Sequence, residues 1–569
     1  MVQANDKMGG KKDPGQWLHI DDFSPGCYDP SNQSTFSPVT NQPLGAADIN
    51  NTFCCSVIKG GSLGPLPSVV GGLELSAYGG LQGGAPLAVL TGFIITPQLN
   101  DGSYEIIVIL EMDDGTTHYV VAASYEPGGS VNLISGPTNN SDTTPGYFGA
   151  PYPAFTRANA DGSSGPPPPG PVLIFPGSVA TDASGSNGHL WLYPELDDPT
   201  SYTAQDLIVS GSSITGQVIT YGDRIICIVG VDYDWPAGGG INTNENFNYT
   251  DPPESSEYGN QQTIMSPEEP WGYGAWGTMS VGELILIKKY GGAVMLNGDI
   301  NVPSSIIPLP GVQSTGNFVG RAAMTPIGLI YCSENQGAWL WDGGNTAQKI
   351  SQAIADNFFD LENNVIESNN YGFFVEHWQK WIMFSGNIWL DTDTQSWWNI
   401  FPKKGISIGS LTGTDFFWYC LTRNGNQLLA APLTMDSDSD VVFSTLDNTN
   451  TSDTYQWQSL PIHVTQQGDA QRVVDIRQII VRCSDPTGSG NCTLTASLPN
   501  GSWSDTSSAA DTPIGSDPTI VRFNVGMGAQ GLTDIVIRIL AENPTPGPAP
   551  IIESIDIEYK VRAPEAVAN

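Results

Sequence analysis

Ala322-Ala323-Met324-Thr325-Pro326-Ile327-Gly328-Leu329-Ile330-Tyr331-Cys332 opens the stretch, 321 to 401, on which the reading of the fold turns. It is an apolar run broken by a turn pair. Gly337-Ala338-Trp339-Leu340-Trp341-Asp342-Gly343-Gly344 follows, a short aromatic strand that ends in a turn. The spacing of Ile350, Ile354 and Phe358 predicts a helix from about Thr346 to Phe359, with all three on one face. Strands return at Phe373-Phe374-Val375-Glu376, Trp381-Ile382-Met383-Phe384 and Asn387-Ile388-Trp389-Leu390-Asp391, and the stretch closes on Trp397-Trp398-Asn399-Ile400-Phe401. Short strands, tight turns and a tryptophan near the end of each unit predict the blades of a β-propeller.

Outward from this stretch the same grammar recurs. Upstream, Gly92-Phe93-Ile94-Ile95 is expected to pair with 104–110, and Asp113-Asp114-Gly115 to turn into 117–122. Glu283-Leu284-Ile285-Leu286-Ile287 and Ala293-Val294-Met295-Leu296 flank Tyr290-Gly291-Gly292, the clearest hairpin in the chain. Downstream, 416–421 turns at Asn424-Gly425-Asn426 into 427–430. The strand-turn-strand units are too unevenly spaced for a strict repeat, and their length suits roughly five to seven blades. Beyond 446 the pattern changes to clean period-two alternation, as in Val473-Val474-Asp475-Ile476, which reads as a β-sandwich. The expected fold class is therefore all-β: a β-propeller with a C-terminal β-sandwich and one short helix. The expected domains are a loop-rich N-terminal segment packing on the propeller (1–86), the propeller (87–445) and the sandwich (446–569). Two long polar excursions interrupt the strands, 137–171 with its run Pro166-Pro167-Pro168-Pro169, and 235–276.

The 569 residues carry 58 Asp+Glu against 21 Lys+Arg, a formal charge of −37. That excludes a basic nucleic-acid-gripping surface and disfavours an anionic membrane face. No stretch approaches the ~18 apolar residues of a membrane helix, and 1–16 has no secretion-signal core. The eight cysteines (27, 54, 55, 227, 332, 420, 483 and 492) show no C-x-x-C spacing. Cys227, Cys332 and Cys420 sit inside apolar runs, as buried free thiols do, and no disulfide framework is expected, with a Cys483–Cys492 bridge across a turn the one exception considered; that suggests synthesis in a reducing compartment.

The search for chemistry assigns no catalytic, cofactor-binding or metal-ligating residue. Gly526-Met527-Gly528-Ala529-Gln530-Gly531 matches the dinucleotide fingerprint in letters, but a β-branched strand follows it where a helix is required. The histidines (His19, His118, His189, His377 and His463) lie far apart on or beside strands. Asp436-Ser437-Asp438-Ser439-Asp440 lacks the glycine of a calcium loop. Asp391-Thr392-Asp393-Thr394-Gln395-Ser396-Trp397 resembles the Asp-box turn of sialidase-like propellers but has no glycine. Trp271, Tyr273 and Trp276 suit either sugar stacking or contact with a neighbouring subunit.

Three places resemble β-propeller virion proteins of tailed bacteriophages, the tail nozzle, tail hub and stabilisation-type proteins. They are Trp17-Leu18-His19-Ile20-Asp21-Asp22-Phe23-Ser24-Pro25-Gly26, then Gly222-Asp223-Arg224-Ile225-Ile226 ahead of a loop with Trp235, and the stretch 321–401. The resemblance implies a non-enzymatic structural protein of the virion tail, assembled in the host cytoplasm. It would form a homo-oligomeric ring, a hexamer in podovirus nozzles, below the portal and adaptor, with DNA passing an acidic lumen unbound. The alternative class is a receptor-binding or glycan-binding or glycan-cleaving β-propeller tail protein, which would show a concave pocket with clustered tryptophans and paired carboxylates.

Overall fold

In the computed structural model the described part of the chain is almost entirely β-strand. Described with side chains are residues 15–30, 44–58, 60–66, a few positions of 285–297, most of 307–312, 324–354 and 388–412, and most of 452–562 outside 464–472, 485–491, 508–518 and 544–546. Elsewhere between 67 and 451 the structure describes the backbone of the strands named below. The chain forms two compact units. One comprises Met1–Leu66, Ser407–Thr412 and Thr451–Asn569; the other comprises Pro67–Ile406 and Gly413–Asn450.

The second unit holds, among the described residues, seven four-stranded sheets, six of them antiparallel up-and-down meanders of consecutive strands. Leu87–Ile95, Ile106–Asp113, His118–Tyr125 and Val131–Ile134 form the first, with the 92–95 pairing expected from sequence and a bulge between Leu90 and Gly92. Glu283–Lys288 and Gly291–Asn297 form the expected hairpin of another. In the last, Pro67–Glu74 lies beside Val442–Thr451, so the earliest strand of the unit completes the latest sheet. Consecutive residues of a strand point to opposite faces, and each meander satisfies the backbone groups of its own inner strands. Buried Ile285, Ala293, Leu309, Val312, Leu329 and Tyr331 form one cluster spanning two successive sheets, with Trp339 and Trp341 packed against it.

Three expectations are corrected here. The helix over 346–359 is absent as far as Ile354; its remainder lies outside the described residues. Gln348 and Lys349 instead pair with Leu340 and Trp339, and the Ile350 amide donates to the Ala338 carbonyl at 2.9 Å. The Ala338 amide in turn donates to Ser351 Oγ at 3.0 Å. Sheet pairing satisfies these backbone groups, and a helical spacing of three apolar residues does not compete with it. Among the described residues there is no α-helix, only a 3-10 turn at Gly526–Ala529. Among the described residues the sheets are also separate, with no strand pairing that runs from one into the next, and the architecture there is a set of unclosed sheets rather than a closed β-propeller with a helix. Strand-turn-strand patterning specifies each meander locally and carries no term for closure. Finally, the polar excursion 235–276 contains the strands Asn246–Tyr249, Asn260–Thr263 and the start of Ala275–Ser280. Their Asn and Gln content hid them from a hydrophobicity-based reading. The 165–170 proline run and the acidic 436–440 segment lie outside the described residues.

The first unit brings the two chain ends together. Its larger sheet runs Cys55–Val57, Leu63–Pro65, Ile551–Arg562, Val473–Ser484 and Thr519–Asn524, and Gln16–Ile20 also pairs with Ile551–Arg562. Its smaller sheet is ordered Thr454–Gln458, Arg538–Glu542, Thr493–Ser497 and Ser504–Thr506. Alternation buries Ile476, Ile479, Val481, Val521, Phe523, Ile555 and Ile557 from the larger sheet. Tyr455, Trp457, Ile539, Ala541, Leu494 and Ala496 are buried from the smaller one. Each such side chain contributes about 1.5–3 kcal/mol relative to exposure. Phe23, from the N-terminal segment, is fully buried edge-on against Trp457, with ring centroids 5.4 Å apart and planes at 90°. Cys27, Cys54, Cys55, Cys483 and Cys492 are buried and in no disulfide, so no Cys483–Cys492 bridge forms, and burial pushes the Cys54 and Cys55 thiols far above their ordinary range.

Candidate functional site

Period-two alternation on the larger sheet of the first unit leaves one face for water. Its strands are in register, so directly opposed residues share that face. One row across the sheet is Trp17, Glu558, Gln478 and Asn524; the next is His19, Asp556, Ile480 and Arg522; a third holds Ser554, Arg482 and Ile520. Neighbouring strands lie about 4.8 Å apart, so each of the first two rows spans roughly 14 Å. A bulge between Ile476 and Gln478 turns Arg477 onto the same face.

The side chains of this face are polar, partly paired and open. His19 Nδ1 lies 2.5 Å from Asp556 Oδ1, and its Nε2 lies 3.3 Å from Asp21 Oδ2. The hydrogen bond to Asp556 raises the imidazole above its ordinary value, ahead of the opposing effect of burial. Arg477 reaches Glu558 at 3.6 Å, and Arg482 Nε stands 4.0 Å from Asp556 Oδ2. Trp17 is 52% exposed and Ile520 is 38% exposed. An indole half open to water on a flat sheet is unusual, because a tryptophan normally hides most of its area. The arrangement offers one aromatic platform, a carboxylate–imidazole pair and guanidinium groups along the same rows. Such a surface can stack an apolar ring face and hydrogen-bond a rim of hydroxyls or carboxylates.

Sequence reasoning quoted Trp17 and His19 only as part of a motif and left the face itself unseen. The signal was present in the alternation of 473–482, 519–524 and 551–560, but which strands adjoin, and that 16–20 joins them, is not written locally.

The other candidates resolve into structure. His463 Nδ1 pairs with Asp534 Oδ1 near the isolated bridge between Ile462 and Ile535. His118 and His189 open strands, while His377 lies outside the described residues. In the Gly526–Gly531 stretch the Gly531 amide donates to Asp475 Oδ1 at 2.9 Å, so a carboxylate occupies a donor that a phosphate would need. The Asp391 turn joins Ile388–Asp391 to Ser396–Asn399: Asp391 Oδ1 accepts the amides of Asp393 at 2.9 Å and Thr394 at 3.1 Å. Gln395, at φ 54°, takes the left-handed position where a glycine would be easier. Trp397 is buried there and donates its indole N–H to the Ile350 carbonyl at 3.0 Å. Trp271 and Tyr273 lie outside the described residues. Among the described residues no group of three or more His, Cys, Asp or Glu could hold a metal ion, and no helix is long and apolar enough to cross a membrane.

No protein-family model matches the chain, and neither does a curated protein. Solved structures similar to it include an exo-β-1,3-galactanase of Phanerochaete chrysosporium, at 10% identity and TM-score 0.25, covering 84% of this chain and 96% of that one. A β-fructofuranosidase of Bombyx mori is similar at 9% identity and TM-score 0.23, covering 74% and 92%. A glycosyl hydrolase of Bacteroides ovatus is similar at 11% identity and TM-score 0.24, covering 73% and 92%. These are carbohydrate-active enzymes and not phage tail proteins. The expected membership of the tail nozzle, hub and stabilisation group is therefore corrected, and with it the non-enzymatic tail-nozzle role. TM-scores of this size by themselves assign neither a substrate nor a reaction.

Proposed function

We propose that this protein recognises glycans, through the outer face of the larger sheet in the unit built from both chain ends. The half-exposed Trp17, set in register beside Glu558 and next to the His19–Asp556 pair, carries the reading. A sugar ring presents a C–H face and a rim of hydroxyls. The C–H face gains by covering an open indole, and the hydroxyls both donate and accept, which suits carboxylate, imidazole and guanidinium together.

About half of tryptophan's roughly 200 Å² is open on this face. Covering it is worth up to ~2.5 kcal/mol at ~25 cal/mol/Å². The experiment is a glycan array probed with the full chain and with Trp17→Ala. The expected result is a defined set of bound glycans whose Kd rises roughly tenfold or more in the variant. Absence of binding across the array, or equal binding by the variant, refutes the assignment. A reducing-end assay on each bound glycan reads cleavage by the whole chain.

A further inference from the structure

We infer that the ligand of this face is an acidic oligosaccharide, one bearing uronate or sialate carboxylates; this rests on the glycan-binding reading above. The chain as a whole holds 58 acidic against 21 basic residues, yet along these three rows the two signs are even, Arg482 and Arg522 standing with Asp556 and Glu558. The bulge adds Arg477, and Asp21 lies beside His19. Both carboxylates are already engaged. Glu558 faces Arg477 at 3.6 Å, and Asp556 is held by His19 at 2.5 Å.

Two guanidinium groups remain. Arg522 is exposed and has no ion-pair partner among the described residues, while Arg482 is 52% exposed and its Nε stands no nearer than 4.0 Å to Asp556 Oδ2, the other oxygen of Asp556 being held by His19. The register Ile480↔Arg522 and Arg482↔Ile520 makes the two arginines diagonal neighbours on adjacent strands, with Ile480 and Ile520 completing the square. Diagonal positions on an antiparallel pair lie about 7–8 Å apart, within reach of one bound carboxylate. Like charges so placed repel unless an anion lies between them, and the planar guanidinium fork matches a carboxylate. Trp17 sits three strands away across the sheet, so one ligand touching both ends must be an oligosaccharide rather than a single sugar.

The test uses the full chain and a panel of galacturonate, glucuronate and sialate oligosaccharides, each with its methyl ester as a neutral counterpart of nearly equal size. At least one acid is expected to bind about tenfold or more tightly than its ester. Arg482→Gln and Arg522→Gln should each erase most of that difference by weakening the acid far more than the ester, and added salt should weaken chiefly the acid. Trp17→Ala should weaken both forms. Equal affinity for acid and ester overturns the acidic class and leaves glycan binding standing. Tight acid binding that survives both arginine substitutions overturns the site. Failure of every glycan, here and on the array, overturns the reading beneath both.

Discussion

A double-mutant cycle on Phe23 and Trp457 tests whether the N-terminal segment and the C-terminal strands share one core. The two rings are fully buried and meet edge to face at 5.4 Å. Truncating either to alanine would cost about 3–5 kcal/mol, a large part of the 5–15 kcal/mol that stabilises an ordinary domain. Milder changes are therefore the useful ones. Phe23→Leu removes the ring and is expected to cost about 1–3 kcal/mol. Trp457→Phe opens a cavity, but it also removes an indole N–H that has no acceptor among the described residues. Relief of that buried donor offsets part of the cavity cost, so this change should be the cheaper of the two. The coupling between them is expected at about 0.5–1.5 kcal/mol. Stability is read by hydrogen exchange on peptides covering 454–458 and 538–542, so that unfolding of the other unit does not confuse the measurement. Strict additivity, or loss of protection in 16–20 without any in 454–458, would refute a common core.

Three further outcomes follow from the same unit. Because the folded-state pKa of His19 is raised above 6.5, its contact with Asp556 adds stability that is fully present below pH 6.5 and is lost as pH rises through the raised value. Protection in 16–20, corrected for the base-catalysed intrinsic exchange rate, should fall across that window in the wild type and not in His19→Gln, by an amount within the ~0–1 kcal/mol of an exposed pair. Gln458 donates to Asp48 at 3.0 Å and accepts from Arg538 at 2.8 and 3.0 Å, so Gln458→Ala should cost roughly 1–3 kcal/mol in urea unfolding by taking one of three donors from the buried Asp48 carboxylate and the close acceptor from the half-buried Arg538 guanidinium. Gly45 sits at φ +90°, where an added Cβ would come within 2.0 Å of the Asp22 carbonyl; Gly45→Ala should destabilise by at least about 2 kcal/mol in the same assay, and a neutral result would contradict the backbone path there.

Sequence by itself determined the β-class of the described chain, the hairpins at 92–110 and 283–297, and the Asp391 turn. These are local matters: alternation decides which side chains share a face, and turn residues decide where a strand reverses. It misread 346–354 because a few apolar residues at helical spacing say nothing about the neighbouring strand that claims their amides. Only the tertiary structure decided that Gln16–Ile20 lies on Ile551–Arg562, more than five hundred residues away, and that Trp17, His19, Asp556, Arg482 and Arg522 consequently share one face. Register between distant strands is set by the free energy of a whole shared core, and no short window of sequence contains that sum.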